Sequence, residues 1–173
     1  MNHYCLMCGT QLVTKLIEDR EREICPRCGW IYYKQYKVSA GVRIEKDGSL
    51  LLVQRGIDPW KGRWYMPAGF LEINEDLEQA AAREAFEETG LKVKTLDLAG
   101  VYTYDDDPRG NGIVFIYDAE ILGGEMQVTA ETSQIGFFSP GDLAQMEFTG
   151  KSGSHQIGDW LKTKGVQLEV NHA

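Results

Sequence analysis

Three glutamates near the end of a predicted helix are well suited to bind a cation. Residues 76–89 contain no Gly or Pro and are typical of a helix, with Asn74 as its predicted N-cap and Gly90 as its left-handed stop. Glu84, Glu87 and Glu88 would then lie on one face, at positions i, i+3 and i+4. Like charges repel at this spacing, and the helix dipole disfavours anions near the C-terminal end. A bound cation would offset both effects.

The chemistry of these side chains indicates which cation. Carboxylate oxygens suit Mg²⁺, which usually combines a few protein carboxylates with waters and substrate phosphates. The pattern therefore indicates phosphate chemistry. The alternative for each glutamate is a solvated helix face with Arg83 as an ion-pair partner.

The wider segment from Gly69 to Leu91 has a specific spacing, Gly-x5-Glu-x7-Arg-Glu-x2-Glu-Glu-x-Gly-Leu. This spacing resembles the signature box of the Nudix hydrolases, which cleave nucleoside diphosphates linked to another moiety. One position departs from the family pattern: Ala85 stands where a bulky aliphatic residue is favoured, and we expect Phe86 or a neighbour to compensate for the missing volume.

The resemblance implies a catalytic metal, Mg²⁺ or Mn²⁺, and its ligands. Glu84, Glu87 and Glu88 would bind the metal, and Gly69 would let the loop backbone approach it and supply a carbonyl ligand. In the family the nucleophile is a water activated beside the metals. No Ser or Cys nucleophile is then required.

Further catalytic candidates also follow from the resemblance. Arg83 would orient the glutamates, and Glu75 would steady the junction between loop and helix. Glu131 lies where many Nudix enzymes carry another glutamate that acts as metal ligand or general base, whereas Gln134 stands where similar sequences often have a second acid.

Candidate substrate contacts lie before the box and after a later strand. We expect phosphate or base contacts from Arg55, Trp60, Lys61, Arg63 and Tyr104. Ordinary surface charge and a loop aromatic in a lid remain alternatives. Trp64 is expected in the core, on a strand against the box helix. The acidic loop 105–112 would be a flexible hairpin tip, a gate to the pocket or a ligand for a second ion.

Four cysteines near the N-terminus predict a zinc site. Cys5 and Cys8 form one C-x2-C pair, and Cys25 and Cys28 form another after a spacer of 16 residues. Two disulfides are the alternative, disfavoured because no signal peptide is evident and a chain of 173 residues has no size-driven need for them. Four thiolates close the shell, so this zinc is expected to be structural.

Composition narrows the function classes. The sequence is 43% hydrophobic and 25% charged, without an apolar run long enough for a membrane span, which favours a cytoplasmic protein. A net charge of −8 argues against a general nucleic-acid-binding surface. A small anionic substrate is compatible with it, since a bound metal reverses the local field.

The elements that must position these residues form two domains and a tail. Residues 1–34 are predicted to be a zinc ribbon with a hairpin turning at Glu18-Asp19, residues 36–165 a Nudix hydrolase domain, and residues 166–173 a C-terminal tail. Strands on both sides of the box helix, without regular alternation, favour an α+β fold with a mixed sheet between helices. The last helix is predicted near 153–164.

A zinc ribbon before a Nudix domain resembles the NADH pyrophosphatase branch and its FAD-cleaving relatives. Its Ser-Gln-Pro-Trp motif survives only as Ser133-Gln-Ile-Gly-Phe137, so FAD and ADP-ribose stand equal to NAD(H) as expected small-molecule substrates. The resemblance also allows a homodimer. The alternative function is a binding module that kept the fold and recognises a protein or nucleic acid through the ribbon.

Overall fold

The structure is a computed structural model that describes residues 2–166. Residues 167–173, most of the predicted tail, lie outside the described residues. The chain divides after Gln35 into two compact units. No helix among the described residues has both the length and the apolar character needed to cross a lipid bilayer.

The N-terminal unit is a small antiparallel sheet. Its strands are β1 (Val13–Ile17), β2 (Arg20–Ile24) and β3 (Ile31–Tyr32), in the order β1-β2-β3. The predicted turn is confirmed: Glu18 and Asp19 take φ values of 49° and 59°, as a tight hairpin requires. Cys5, Leu12 and Cys25 form its small buried core.

The larger unit contains a mixed sheet and two helices. Its elements are β4 (Lys37–Lys46), β5 (Ser49–Arg55), β6 (Trp64–Tyr65), β7 (Ala68–Phe70), α1 (Leu77–Thr89), β8 (Leu91–Tyr104), β9 (Gly112–Gly124), β10 (Thr132–Phe138) and α2 (Gly150–Thr163). The main strand order is β10-β5-β4-β9-β8, with β6 on β5 and β7 on β4. Strands β4 and β9 are parallel and the other pairs are antiparallel. The predicted α+β class is confirmed.

The two helices pack on opposite faces of this sheet. Leu51 of β5 joins the cluster that contains Ala80, Ala81 and Ala85 of α1. Its neighbours Leu50 and Leu52 join the cluster of α2, with Ile157, Trp160 and Leu161. Because successive strand residues point to opposite faces, an unbroken apolar run is what a doubly covered strand needs.

Helix α1 differs from the prediction at its N-terminus. Asp76, and not Asn74, is the cap: its Oδ1 accepts a hydrogen bond of 2.8 Å from Gln79 N, while Gln79 Oε1 accepts one of 3.0 Å from Asp76 N. Asn74 instead takes φ 74° in the preceding loop. Gly90 ends the helix in the left-handed conformation, as predicted.

Two packing expectations for large aromatic side chains are corrected. Phe86 is 47% exposed and does not replace the missing volume at Ala85, where buried alanines bring α1 close to the sheet. Trp64 lies on a strand and packs in a core, but against Phe138 in the α2 cluster, with ring centroids 4.7 Å apart. Strand alternation turns Tyr65, its neighbour, towards the box helix instead.

Candidate functional site

A cavity of about 780 Å³ in the larger unit collects most of the predicted site residues. The predicted residues that line it are Arg55, Trp60, Gly69, Arg83, Glu84, Glu87, Glu88, Tyr104 and Glu131. Lys61, Arg63 and Glu75 are not among its lining residues. Its volume lies in the range of small-molecule sites.

Glu88 is the most enclosed carboxylate of the three box glutamates. It is 5% exposed and accepts hydrogen bonds from the Tyr65 hydroxyl at 2.5 Å and from Ala68 N at 3.0 Å. Burial raises the pKa of Glu88 to about 8. The two donors hold both of its oxygens in a fixed orientation.

Glu84 and Gly69 meet at close range. The Glu84 side chain is only 14% exposed, and burial raises its pKa. A Cβ added to Gly69 would overlap the Glu84 carboxylate. The glycine therefore lets the backbone of β7 pass directly beside this side chain, as the resemblance implied.

Arg83 links the box glutamates to the loop before the helix. It pairs with Glu75 in two bonds, of 2.5 and 2.9 Å. Its Nη1 donates to Glu84 at 2.7 Å and to Glu87 at 2.9 Å, and its Nη2 donates to Phe70 O at 2.9 Å. The Arg83 hydrogen bonds lower the pKa of Glu75 to about 2. Arg83 and Glu75 thus fix α1 against β7.

The donor set fits a hard divalent cation. Glu84, Glu87 and Glu88 line one cavity from one helix face, and the first two share the Arg83 guanidinium. Among the described residues, the four cysteines form a cluster of ligand atoms within 4.8 Å of one another, and the three carboxylates do not. Three carboxylates exceed the charge of one arginine. Carboxylate oxygens are the ligands that Mg²⁺ and Mn²⁺ prefer.

Arg55 has the surroundings of an anion ligand. It is 9% exposed, and its Nε donates to Pro59 O at 2.7 Å. Its two Nη groups make no hydrogen bond within the part of the chain that the structure describes. Every fully enclosed side-chain polar atom there has a partner, so these groups reach the open cavity.

Arg63 makes other contacts, whereas the acidic loop lines the cavity through Asp106, Asp107 and Arg109. The Arg63 guanidinium lies 5.5 Å from the Trp60 ring centroid and donates to Phe148 O at 3.4 Å, which occupies it outside the cavity lining. In the loop, Asp107 pairs with Arg109 at 2.7 Å, and Asp106 accepts a hydrogen bond of 2.7 Å from Lys151 N at the start of α2.

Several polar lining residues were not predicted. Tyr65, Ser39, Ser152 and Gln156 are all buried and all line the cavity. Tyr65 carried a weak signal, since it lies two residues before Pro67 on the approach to the box. The other three lie far from the box in the sequence, and no motif marks them.

The four cysteines of the N-terminal unit converge. Their sulfur atoms all lie within 4.8 Å of one another. Gly9 and Gly29, with φ values of 68° and 76°, turn the chain after each pair. The four cysteines fit a tetrahedral zinc ion.

Two family models match the chain. The NUDIX domain model matches residues 35–161. The Nudix N-terminal model, a zinc ribbon, matches residues 3–34. Together they cover nearly all of the described residues.

Curated relatives match part of the chain. An ADP-ribose pyrophosphatase of Methanocaldococcus jannaschii is 40% identical over 106 residues, 61% of this chain and 63% of that protein. A NAD-capped RNA hydrolase NudC of Escherichia coli is 40% identical over 125 residues, 72% of this chain and 46% of that protein. The chain therefore spans less than two thirds of these relatives.

A solved structure matches the chain over almost its whole length. A NUDIX hydrolase from Nitrosomonas europaea has a TM-score of 0.77 and 27% sequence identity, covering 98% of this chain and 96% of that chain. This match confirms the predicted fold, a mixed sheet between helices.

Proposed function

Since the chain belongs to the Nudix family and carries its N-terminal zinc ribbon, we propose that it hydrolyses the pyrophosphate bond of a nucleoside diphosphate linked to another moiety. The observation that carries this proposal is the meeting of Glu84, Glu87 and Glu88 with Gly69 in one cavity. The reaction would depend on Mg²⁺ or Mn²⁺.

The box residues would hold this metal through the carboxylates of Glu84, Glu87 and Glu88 and the Gly69 carbonyl. When bound, the ion supplies an activated water and neutralises charge on the pyrophosphate oxygens. Arg83 and Glu75 would fix the orientation of the helix that carries the carboxylates.

Two residues outside the box would act on substrate and water. The Nη groups of Arg55, which open into the cavity, would bind a phosphate oxygen through charge-assisted hydrogen bonds. Glu131 lines the same cavity and would accept the proton of the attacking water.

The relatives guide the choice of substrates. One is named an ADP-ribose pyrophosphatase and another a NAD-capped RNA hydrolase. Both names refer to compounds in which an adenine nucleotide is joined to another group through a pyrophosphate. ADP-ribose, NAD(H) and FAD share this unit and form the substrate class of the proposal.

The proposal also covers the zinc ion, the cellular compartment and the oligomeric state. A shell of four cysteine sulfurs leaves no open position for substrate, so the zinc would be structural. Free thiols that bind zinc persist in reducing compartments, which supports the cytoplasm. A homodimer is proposed from the resemblance alone, and light scattering after gel filtration tests it.

A hydrolysis screen tests the activity. Purified protein with Mg²⁺ is incubated with FAD, NADH, NAD⁺, ADP-ribose and diadenosine polyphosphates, and released monophosphates are measured, with Glu88→Gln as the blank. We expect cleavage of at least one adenine compound and a loss of orders of magnitude in the variant. No cleavage by a folded, zinc-loaded protein would instead favour the binding module.

A further inference from the structure

Helix α2 buries two kinds of residue in its two halves. Towards its C-terminus the buried residues are Ile157, Trp160 and Leu161, which are part of the apolar core. In its first two turns they are small or polar: Ser152, Gly153, Ser154 and Gln156. A helix that packs only against a sheet would continue its apolar stripe. The first half of α2 therefore faces something other than core.

The sheet presents a matching polar surface below this half of the helix. Ser39 of β4 pairs in register with Val114 of β9, and Val114 belongs to the α2 cluster, so Ser39 faces α2. Two residues before Val114 in β9, Gly112 pairs with Tyr104 of β8. A Cβ at Gly112 would overlap the Tyr104 ring, so the glycine lets this ring lie across the strand.

Buried polar atoms here lack protein partners. Gln156 is 8% exposed, and its carboxamide bonds the Ser152 hydroxyl at 2.9 Å, which leaves its other end unbonded among the described residues. Ser39 is 7% exposed, and its hydroxyl makes no bond there. Since no fully enclosed polar atom is unsatisfied in this part of the chain, both groups open into the cavity.

We propose that Gln156, Ser39 and Tyr104 form a subsite for a flat nucleotide ring that carries a hydrogen-bond donor beside an acceptor on one edge. The Gln156 carboxamide offers the complementary acceptor and donor, as glutamine does with adenine. Ser39 adds a hydroxyl, and the Tyr104 ring supplies a stacking surface. Arg55 and the box glutamates line the same cavity, so the phosphates attached to this ring would extend towards them.

Two ring systems of the proposed substrates carry such an edge. Adenine presents its 6-amino group beside a ring nitrogen, and nicotinamide presents both groups in its carboxamide. The subsite deepens the proposed function and rests on it for the choice of nucleotides. Its test measures binding and not turnover, so it can succeed or fail whether or not the protein hydrolyses anything.

Isothermal titration calorimetry tests the subsite with adenosine and nicotinamide mononucleotides, up to millimolar concentration. Each is compared with a partner that lacks the donor on this edge: purine riboside 5′-monophosphate, which has no 6-amino group, and nicotinic acid mononucleotide. Ribose 5-phosphate, which lacks the ring, reports on the phosphate contacts alone. The proteins are the wild type, Gln156→Leu and, as matched control, Gln145→Leu at an exposed position outside this cavity.

We expect the wild type and the control to bind one mononucleotide roughly ten- to a hundredfold more tightly than its altered partner, as one bidentate contact provides. The preferred pair identifies adenine or nicotinamide as the ring. Gln156→Leu should lose this preference and bind ribose 5-phosphate unchanged. Gln156→Glu, which keeps the shape but removes the donor, should do the same if the leucine variant does not fold.

Three results would overturn the subsite. In the first, Gln156→Leu binds every nucleotide as tightly as the wild type does. In the second, the wild type binds both members of each pair equally. In the third, the wild type binds no mononucleotide. Hydrolysis of ADP-ribose with any of them would leave the proposed function intact.

Discussion

The Tyr65 hydroxyl donates a hydrogen bond of 2.5 Å to the Glu88 carboxylate, although the two residues come from different elements. Both side chains are buried, Tyr65 at 8% exposed and Glu88 at 5%. Ala68 N bonds the second oxygen at 3.0 Å. Strand β6 and the start of β7 thus hold the carboxylate on α1 that a metal would use.

Tyr65→Phe should weaken the metal site. The change removes one hydrogen bond and leaves the ring in place. Once a bound metal keeps Glu88 ionised, this bond is charge-assisted and worth about 1.5–3 kcal/mol. We expect about tenfold or greater loss of Mn²⁺ affinity by calorimetry, together with a lower kcat. Tyr102→Phe, half-buried but outside the cavity lining, should keep wild-type affinity. Equal Mn²⁺ binding by wild type and Tyr65→Phe would show that this hydroxyl does not position Glu88.

Gly69→Ala should abolish activity while the protein still folds. The added methyl group would overlap the Glu84 carboxylate and force it away from its position. We expect kcat to fall at least a hundredfold and Mn²⁺ affinity to fall with it. Gly123→Ala, in β9, is the matched control because its Cβ would meet nothing within 4 Å. Wild-type turnover by Gly69→Ala would show that the site does not require a glycine at this position.

Zinc removal should unfold the N-terminal unit and spare the larger one. Its buried core consists of Cys5, Leu12 and Cys25 with a few half-buried neighbours, which is too small to fold without the metal. After chelation, the amide NMR spectrum should lose the dispersed signals of residues 2–35 and keep those of the larger unit. A spectrum that does not change would contradict a structural zinc.

Glu45 should make the stability of the larger unit depend on pH. It accepts hydrogen bonds from Lys164 Nζ at 2.5 Å and from Trp160 Nε1 at 3.0 Å. The Lys164 bond lowers the pKa of Glu45 in the folded state. The carboxylate therefore stabilises the fold above its unfolded pKa of about 4.3, and this contribution is lost as pH falls through the folded pKa.

Urea unfolding of wild type and Glu45→Gln tests this dependence. At pH 7 the variant should be less stable by about 0.5–1 kcal/mol, because the pair with Lys164 is partly exposed. Near pH 3 the difference should shrink. Glu120→Gln, in a looser exposed pair of 3.5 Å with Lys94, should change little at either pH. If the stability difference between wild type and Glu45→Gln stayed constant from pH 7 to pH 3, the charge of Glu45 would not be its cause.

The sequence alone determined the features that depend on short stretches of chain. The box helix with its Gly90 stop, the paired cysteines and the hairpin turns follow from local spacing and backbone preference. Local competition produced one error: Asn74 and Asp76 both suit an N-cap, and only the backbone path into α1 selects Asp76.

Tertiary structure decided the contacts between distant residues. Tyr65 meets Glu88, and Ser39 faces the helix that carries Gln156, because strand register and sheet alternation choose which side chains share a face. A register shift by one residue would turn Ser39 to the other side of the sheet. Such pairings depend on how whole elements pack, and no local pattern of residues encodes them.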